Sequence, residues 1–127
     1  LAPVDAPTMP EPLMLGEAVA GTVWAILVHE EAGPRAVPAG IVRRIRATGA
    51  DVYGRAADGR DALTLAATVL TGHSGAAVVD DAGRVVGITF SRARGGSPVA
   101  YAVQAGALQA LLERVGHHPE PAGPCIE

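Results

Sequence analysis

Lysine and asparagine are absent from this sequence, so all ten basic residues are arginine. Thirteen acidic residues outweigh them, for a formal net charge of −3. Such a balance leaves no electrostatic footprint for nucleic acid, and no nucleic-acid partner is expected. Cysteine occurs once, at Cys125, which excludes an internal disulfide and a cysteine-based metal centre. Aromatic residues make up only 3 % of the chain, so a core has to come from Val, Ala, Leu and Ile. The apolar run Ala18 to Val28 is too short to span a bilayer as a helix. What is present is ordinary for one globular domain: 127 residues, 49 % hydrophobic and 18 % charged.

Patterning divides the chain into three parts. Residues 1–12, "LAPVDAPTMPEP", hold four prolines and no apolar period, and read as an extended arm or linker. Residues 13–116 carry the periodic segments. Residues 117–127 are polar and proline-rich, and read as a loose tail. Residues 13–30 hold a strand or a short buried helix; Gly21, Thr22 and Val23 are poor helix formers and favour the strand. "EEAGP" is a turn. "RAVPAGIVRRIRATG" follows as a strand, with Ile41 and Ile45 on one face, Arg44 and Arg46 on the other, and Arg43 out of pattern. Pro38 belongs near the start of that strand or on an edge. Asp58-Gly59 is a turn signal, and 62–71 is another strand. "AAVVD" and "RVVGITF" flank a tight turn opened by Asp80 and Asp81, and predict a β-hairpin. A last strand at 98–103 precedes an amphipathic helix with Leu108, Leu111, Leu112 and Val115 on one face and Gly116 as its C-terminal stop. About six antiparallel strands and one terminal helix give an all-β class, a small barrel or sandwich with a helix packed outside.

One stretch carries chemistry: "TGHSG", Thr71 to Gly75. Glycine on both sides of His73-Ser74 permits a sharp turn with unusual φ. Such a turn pushes a serine hydroxyl outward and aims successive backbone N–H groups at one point, the arrangement that stabilises an oxyanion. Gly-x-Ser-Gly is also a common surface loop, and the pentapeptide alone leaves both readings open. The other polar clusters read blandly. Arg43, Arg44 and Arg46 are expected on solvated strand surface, His29 beside a turn, and His117 and His118 past the helix end, where a cation suits the dipole.

The whole stretch "GHSGAAVVDDAGRVVGITF" resembles the nucleophile loop and following hairpin of the chymotrypsin-fold serine proteases. It is most similar to the actinobacterial membrane-anchored trypsin-like proteases of the periplasm, to which "AVPAGIVRRIRATGADVYGR" and "AYAV" add a weaker likeness. The resemblance implies a six-stranded antiparallel barrel, the C-terminal barrel of that fold, with a C-terminal α-helix. It implies Ser74 as nucleophile and the N–H groups of Gly72 and Ser74 as the oxyanion hole. Thr68 falls where trypsin places its selecting acid; being neutral, it implies no preference for basic side chains. Phe90, Ser91 and Arg92 would line the cleft and pair with an extended peptide. The family implies peptide or protein substrates, no cofactor and no metal, and an extracytoplasmic compartment.

Three departures bear on activity. His73 stands for the family's Asp or Asn, Ala76 for its second glycine, and Ala77 for the proline after it. The family's catalytic His and Asp come from an N-terminal barrel, and only 73 residues precede Ser74 here. A serine hydroxyl needs a base and an orienting acid. Expectation is therefore divided. The chain is the C-terminal barrel of a serine endopeptidase, inactive without a His/Asp barrel supplied in cis or in trans. Alternatively it is a non-catalytic, protease-like domain that binds peptide or protein. A third reading is a truncated product without function, whose exposed apolar inter-barrel face would favour poor solubility or self-association.

Overall fold

The structure is a computed structural model and describes residues 10–50 and 56–116. Alternating small and β-branched residues form six strands: β1 (Val23–Glu30), β2 (Gly33–Ala50), β3 (Ala56–Ala66), β4 (Ala77–Val79), β5 (Val85–Arg92) and β6 (Val99–Gln104). The chain then enters helix α1 (Ala105–Val115). All neighbouring strands run antiparallel in the order β1-β2-β3-β6-β5-β4, and β4 returns to β1, closing a six-stranded barrel. A closed sheet of six strands leaves an interior just wide enough for side chains. Ile26, Val37, Leu63, Leu65, Val78 and Val86 fill it. Trp24 and Phe90 stay outside it, 50 % and 43 % exposed.

Narrowness also explains Gly87 on β5. A Cβ there would lie 2.9 Å from the Val103 carbonyl oxygen, 3.1 Å from Leu63 Cδ1 and 3.3 Å from Ala102 Cβ. The first of these is backbone and cannot swing away. Val78 faces Gly87 directly, while Val79 pairs with Val85, so Val86 is an extra residue in the hairpin and turns into the core.

Several sequence expectations shift in register. Residues 13–22 are not strand. They run irregularly to Gly21, with Met14 and Gly16 hydrogen-bonded to Val85 at the start of β5. Residues 67–71, expected to extend a strand, leave the sheet after Ala66. On β2 a bulge between Ile41 and Arg43 inserts Val42. Ile41 pairs with Leu65, but Arg44, not Ile45, then pairs with Leu63. One extra residue exchanges the faces, so Ile41 and Ile45 do not share one and Arg43 is no longer anomalous. Arg44 is exposed as expected, and its Nε also donates to Gln104 Oε1 at 3.0 Å, while Gln104 Nε2 donates to the Ala62 carbonyl at 2.8 Å. Asp58-Gly59 is not a turn but falls inside β3, between the pairs Ala47–Arg60 and Gly49–Ala57. Pro38 pairs with Ala25 of β1 where β3 has not yet joined, which begins only at Gly40, so its missing N–H breaks no ladder.

Helix α1 lies over β3, β5 and β6. Gly116, at φ +62°, ends it and donates to the Leu112 carbonyl at 3.0 Å. Of the expected apolar face, Leu108, Leu112 and Val115 are half-buried, and Leu111 is 45 % exposed. Residues 117–127, with His117 and His118, lie outside the described residues, as do positions 1–9 of the proline-rich arm.

Candidate active site

Ser74 sits on the connection between β3 and β4, and that connection is built as two linked turns. The His73 N–H donates to the Leu70 carbonyl at 3.1 Å, closing Leu70-Thr71-Gly72-His73. The Ala76 N–H donates to the His73 carbonyl at 3.1 Å, closing His73-Ser74-Gly75-Ala76. Each turn has glycine third, at φ +97° for Gly72 and +89° for Gly75. A type II turn demands positive φ at that position, so the two glycines are a backbone requirement. Ala76 needs no such freedom, because no non-glycine residue among those described has positive φ. The alanine that replaces the family's second glycine is therefore accommodated without strain.

Two bonds fasten the second turn to the barrel: Gly75 N–H to the Thr89 carbonyl at 2.7 Å, and Thr89 N–H to the Ala76 carbonyl at 2.9 Å. Upstream, Ala67 N–H donates to the Pro98 carbonyl at 3.0 Å. Ser74 is exposed, and among the described residues its hydroxyl has no hydrogen-bond partner. The N–H groups of Gly72 and Ser74 likewise bond to no backbone carbonyl among them. The loop thus presents a hydroxyl and two donors, close by in sequence, that the described residues leave unbonded.

His73 points away from this surface. It is 4 % exposed. Its Nδ1 accepts the Leu70 N–H at 3.1 Å, and its Nε2 lies 4.0 Å from Glu30 Oε2 at the end of β1. Glu30 in turn accepts from the Arg35 guanidinium across the β1–β2 hairpin. That hydrogen bond, with the charge of Arg35, holds the Glu30 carboxyl below its ordinary value against the opposing effect of desolvation. Nothing in the local sequence signals that Glu30 and His73 meet.

The outer end of β5 has one free side. Ser91 and Arg92 pair with Tyr101 and Ala100 of β6, and Phe90 is the extra residue of a bulge between Thr89 and Ser91. On the other side β4 pairs only as far as Ile88. Phe90 to Arg92 are thus an open edge beside the Ser74 loop, and the Arg92 guanidinium reaches the Val69 carbonyl at 3.4 Å. Thr68 is exposed on the same loop but opens onto a groove of about 430 Å³ with Arg35, Pro38, Leu70 and Pro98, which Ser74 does not line. His29 is exposed, where β1 turns toward β2. The described residues hold no group of His, Cys, Asp or Glu arranged for a metal ion.

A closed six-stranded barrel with a serine on paired glycine turns before its closing hairpin defines the trypsin-like class of peptidase domain. The chain belongs to that family: the model of the trypsin-like peptidase domain matches residues 2–88. It is similar to the serine protease Rv3671c of Mycobacterium tuberculosis, with 33 % identity over 93 residues, 72 % of this chain and 23 % of that protein. The active-form crystal structure of Rv3671c superposes with a TM-score of 0.77 at 31 % identity, over 90 % of this chain and 52 % of that one. The HtrA-type protease AlgW, solved with a tripeptide, shares the fold at 24 % identity and a TM-score of 0.65, over 88 % of this chain and 38 % of that one. The chain thus spans about a quarter of the length of its curated relative and about half of the Rv3671c structure.

Proposed function

We propose that this chain is the C-terminal barrel of a serine endopeptidase, with Ser74 as nucleophile and the Gly72 and Ser74 N–H groups as oxyanion hole. One observation carries the reading: two linked turns hold an exposed Ser74 next to backbone donors that no other group among the described residues occupies. In this mechanism the Ser74 hydroxyl attacks a peptide carbonyl carbon as its proton passes to a base. The two N–H groups receive the oxygen as it becomes negative, each worth about 3–4 kcal/mol in the transition state. The substrate lies extended along Phe90, Ser91 and Arg92, exchanging backbone hydrogen bonds with the free side of β5. Thr68, neutral and displaced toward the groove, gives no charge selection.

The base comes from elsewhere. The histidine next to it in the chain, His73, spends Nδ1 on Leu70 and turns Nε2 toward Glu30. A His/Asp barrel, in cis or in trans, has to complete the triad, and the chain alone is inactive. A fluorophosphonate probe tests this. With a trypsin-like His/Asp barrel supplied, Ser74 is labelled and Ser74→Ala is not. Without it, labelling falls by roughly 10³-fold or more. Equal labelling without the second barrel would overturn the need for a partner. No labelling with it would leave the non-catalytic, peptide-binding reading.

A further inference from the structure

We propose that His73 is the positioning residue of the Ser74 loop. Its imidazole, not only the backbone, fixes the first of the two turns and ties it to the β1–β2 hairpin.

The argument is one of donors and acceptors. Leu70 and His73 are joined twice. The His73 N–H donates to the Leu70 carbonyl, and the Leu70 N–H donates to His73 Nδ1, both at 3.1 Å. A main-chain N–H can only donate, so Nδ1 carries no proton, and a neutral imidazole then holds its proton on Nε2. That N–H is directed toward Glu30 Oε2, 4.0 Å away, beyond direct hydrogen-bond reach but well within electrostatic reach. Glu30 stays ionised because Arg35 of β2 donates to it. A third charge, Arg92 of β5, anchors the adjoining Val69 carbonyl. The turn that carries Gly72 is thereby gripped from the hairpin on one side and from β5 on the other. Burial of the ring, 4 % exposed, keeps water from replacing it as acceptor for Leu70.

The consequence for catalysis rests on Ser74 being the nucleophile; the consequence for the loop's conformation does not. In the second case a purely steric role is the competing view, and a graded series of side chains separates the two. His73→Asn retains a carbonyl oxygen where Nδ1 stood and loses the reach to Glu30. His73→Gln retains a donor near the place of Nε2 and loses the acceptor for Leu70. His73→Ala loses both.

The test is hydrogen exchange and ¹⁵N spectroscopy on the intact chain, followed by probe labelling with a His/Asp barrel present. In the unsubstituted chain the His73 ring shows an unprotonated Nδ1 and a protonated Nε2. Leu70 amide exchange accelerates about tenfold or more in His73→Gln and His73→Ala, and stays within about threefold in His73→Asn. Ser74 labelling follows the same order. A proton on Nδ1, or Leu70 exchange in His73→Gln equal to that of the unsubstituted chain, would overturn the proposal, and Gln serves this purpose even if Ala fails to fold. Correct ring and exchange results with no labelling of the unsubstituted chain would instead reject Ser74 as nucleophile, leaving the loop assignment supported.

Discussion

Asp80 ends β4 and shapes the turn that brings β5 back. Its Oδ1 accepts the N–H groups of Ala82 and Arg84, both at 2.9 Å, and its Oδ2 accepts Arg84 Nε at 2.9 Å. Burial raises its pKa, but the Arg84 and Ala82 N–H groups and the Arg84 guanidinium outweigh it, and the carboxyl sits below its ordinary value of 3.8. A carboxylate depressed on folding contributes stability that is complete above its unfolded value and lost as pH falls through the folded one. Asp80→Ala should therefore cost about 1–3 kcal/mol at neutral pH in denaturant titration. The deficit should shrink below about pH 3.8, where the unsubstituted chain loses the same contribution. At this scale the sequence was legible wherever chemistry is local. Asp at a turn, and glycine where φ must be positive, are requirements of a few consecutive residues. The role of His73 was not legible in full. That its side chain turns from Ser74 follows from adjacency, but its partner Glu30 is brought near only when the barrel closes.

Among elements, the hairpin of β4 and β5 is the most tightly specified, because it meets the narrow interior and the serine loop together. Gly87→Ala should destabilise the barrel by about 1–3 kcal/mol, since the added methyl meets the Val103 carbonyl at 2.9 Å. Thermal unfolding followed by circular dichroism measures this, and an unchanged midpoint would mean that β5 and β6 separate more easily than their pairing implies. Period two made this hairpin and the last strand readable. It failed on β2 and β3 because alternation carries no mark of a bulge. Val42 is as apolar as Ile41 before it, yet it reverses every face after it. Asp58 and Gly59, a turn pair by type, are absorbed as an irregularity within β3, whose long pairing with β2 outweighs the local preference.

For the whole molecule, one row of outward side chains crosses the barrel. Leu27 pairs with Ala77, Ala77 with Ile88, Ile88 with Val103, Val103 with Ala62, and Ala62 with Ile45. Ala62 is fully buried, under the sheet face that α1 covers, whereas Leu27 at the other end is 42 % exposed, next to Val23 and Trp24 on the same strand at 65 % and 50 %. We expect the isolated chain to self-associate through this end, visible as a rise of weight-average mass with concentration in sedimentation velocity, and weakened by Leu27→Ser. A monomer at all concentrations would show that the β1 surface needs no cover. The barrel and terminal helix were legible in the order of segments and in the motif's resemblance. Which apolar outward residues stay bare was not, since that depends on where α1 comes to rest.

The half-open strands beside the serine loop give the barrel a sidedness. On one flank, β2 from Gly33 to Ala39 has β1 as its only strand neighbour among the described residues, and it carries Pro34 and Pro38. The two are four residues apart and in unbroken register with β1, so both nitrogen atoms face the bare side, where neither has a hydrogen to give. On the other flank, Phe90 to Arg92 of β5 contain no proline. On the proposed reading, in which substrate pairs with the free side of β5, the first edge disfavours an added strand and the second accepts one, so direction of approach is selected by the backbone before any side chain is read.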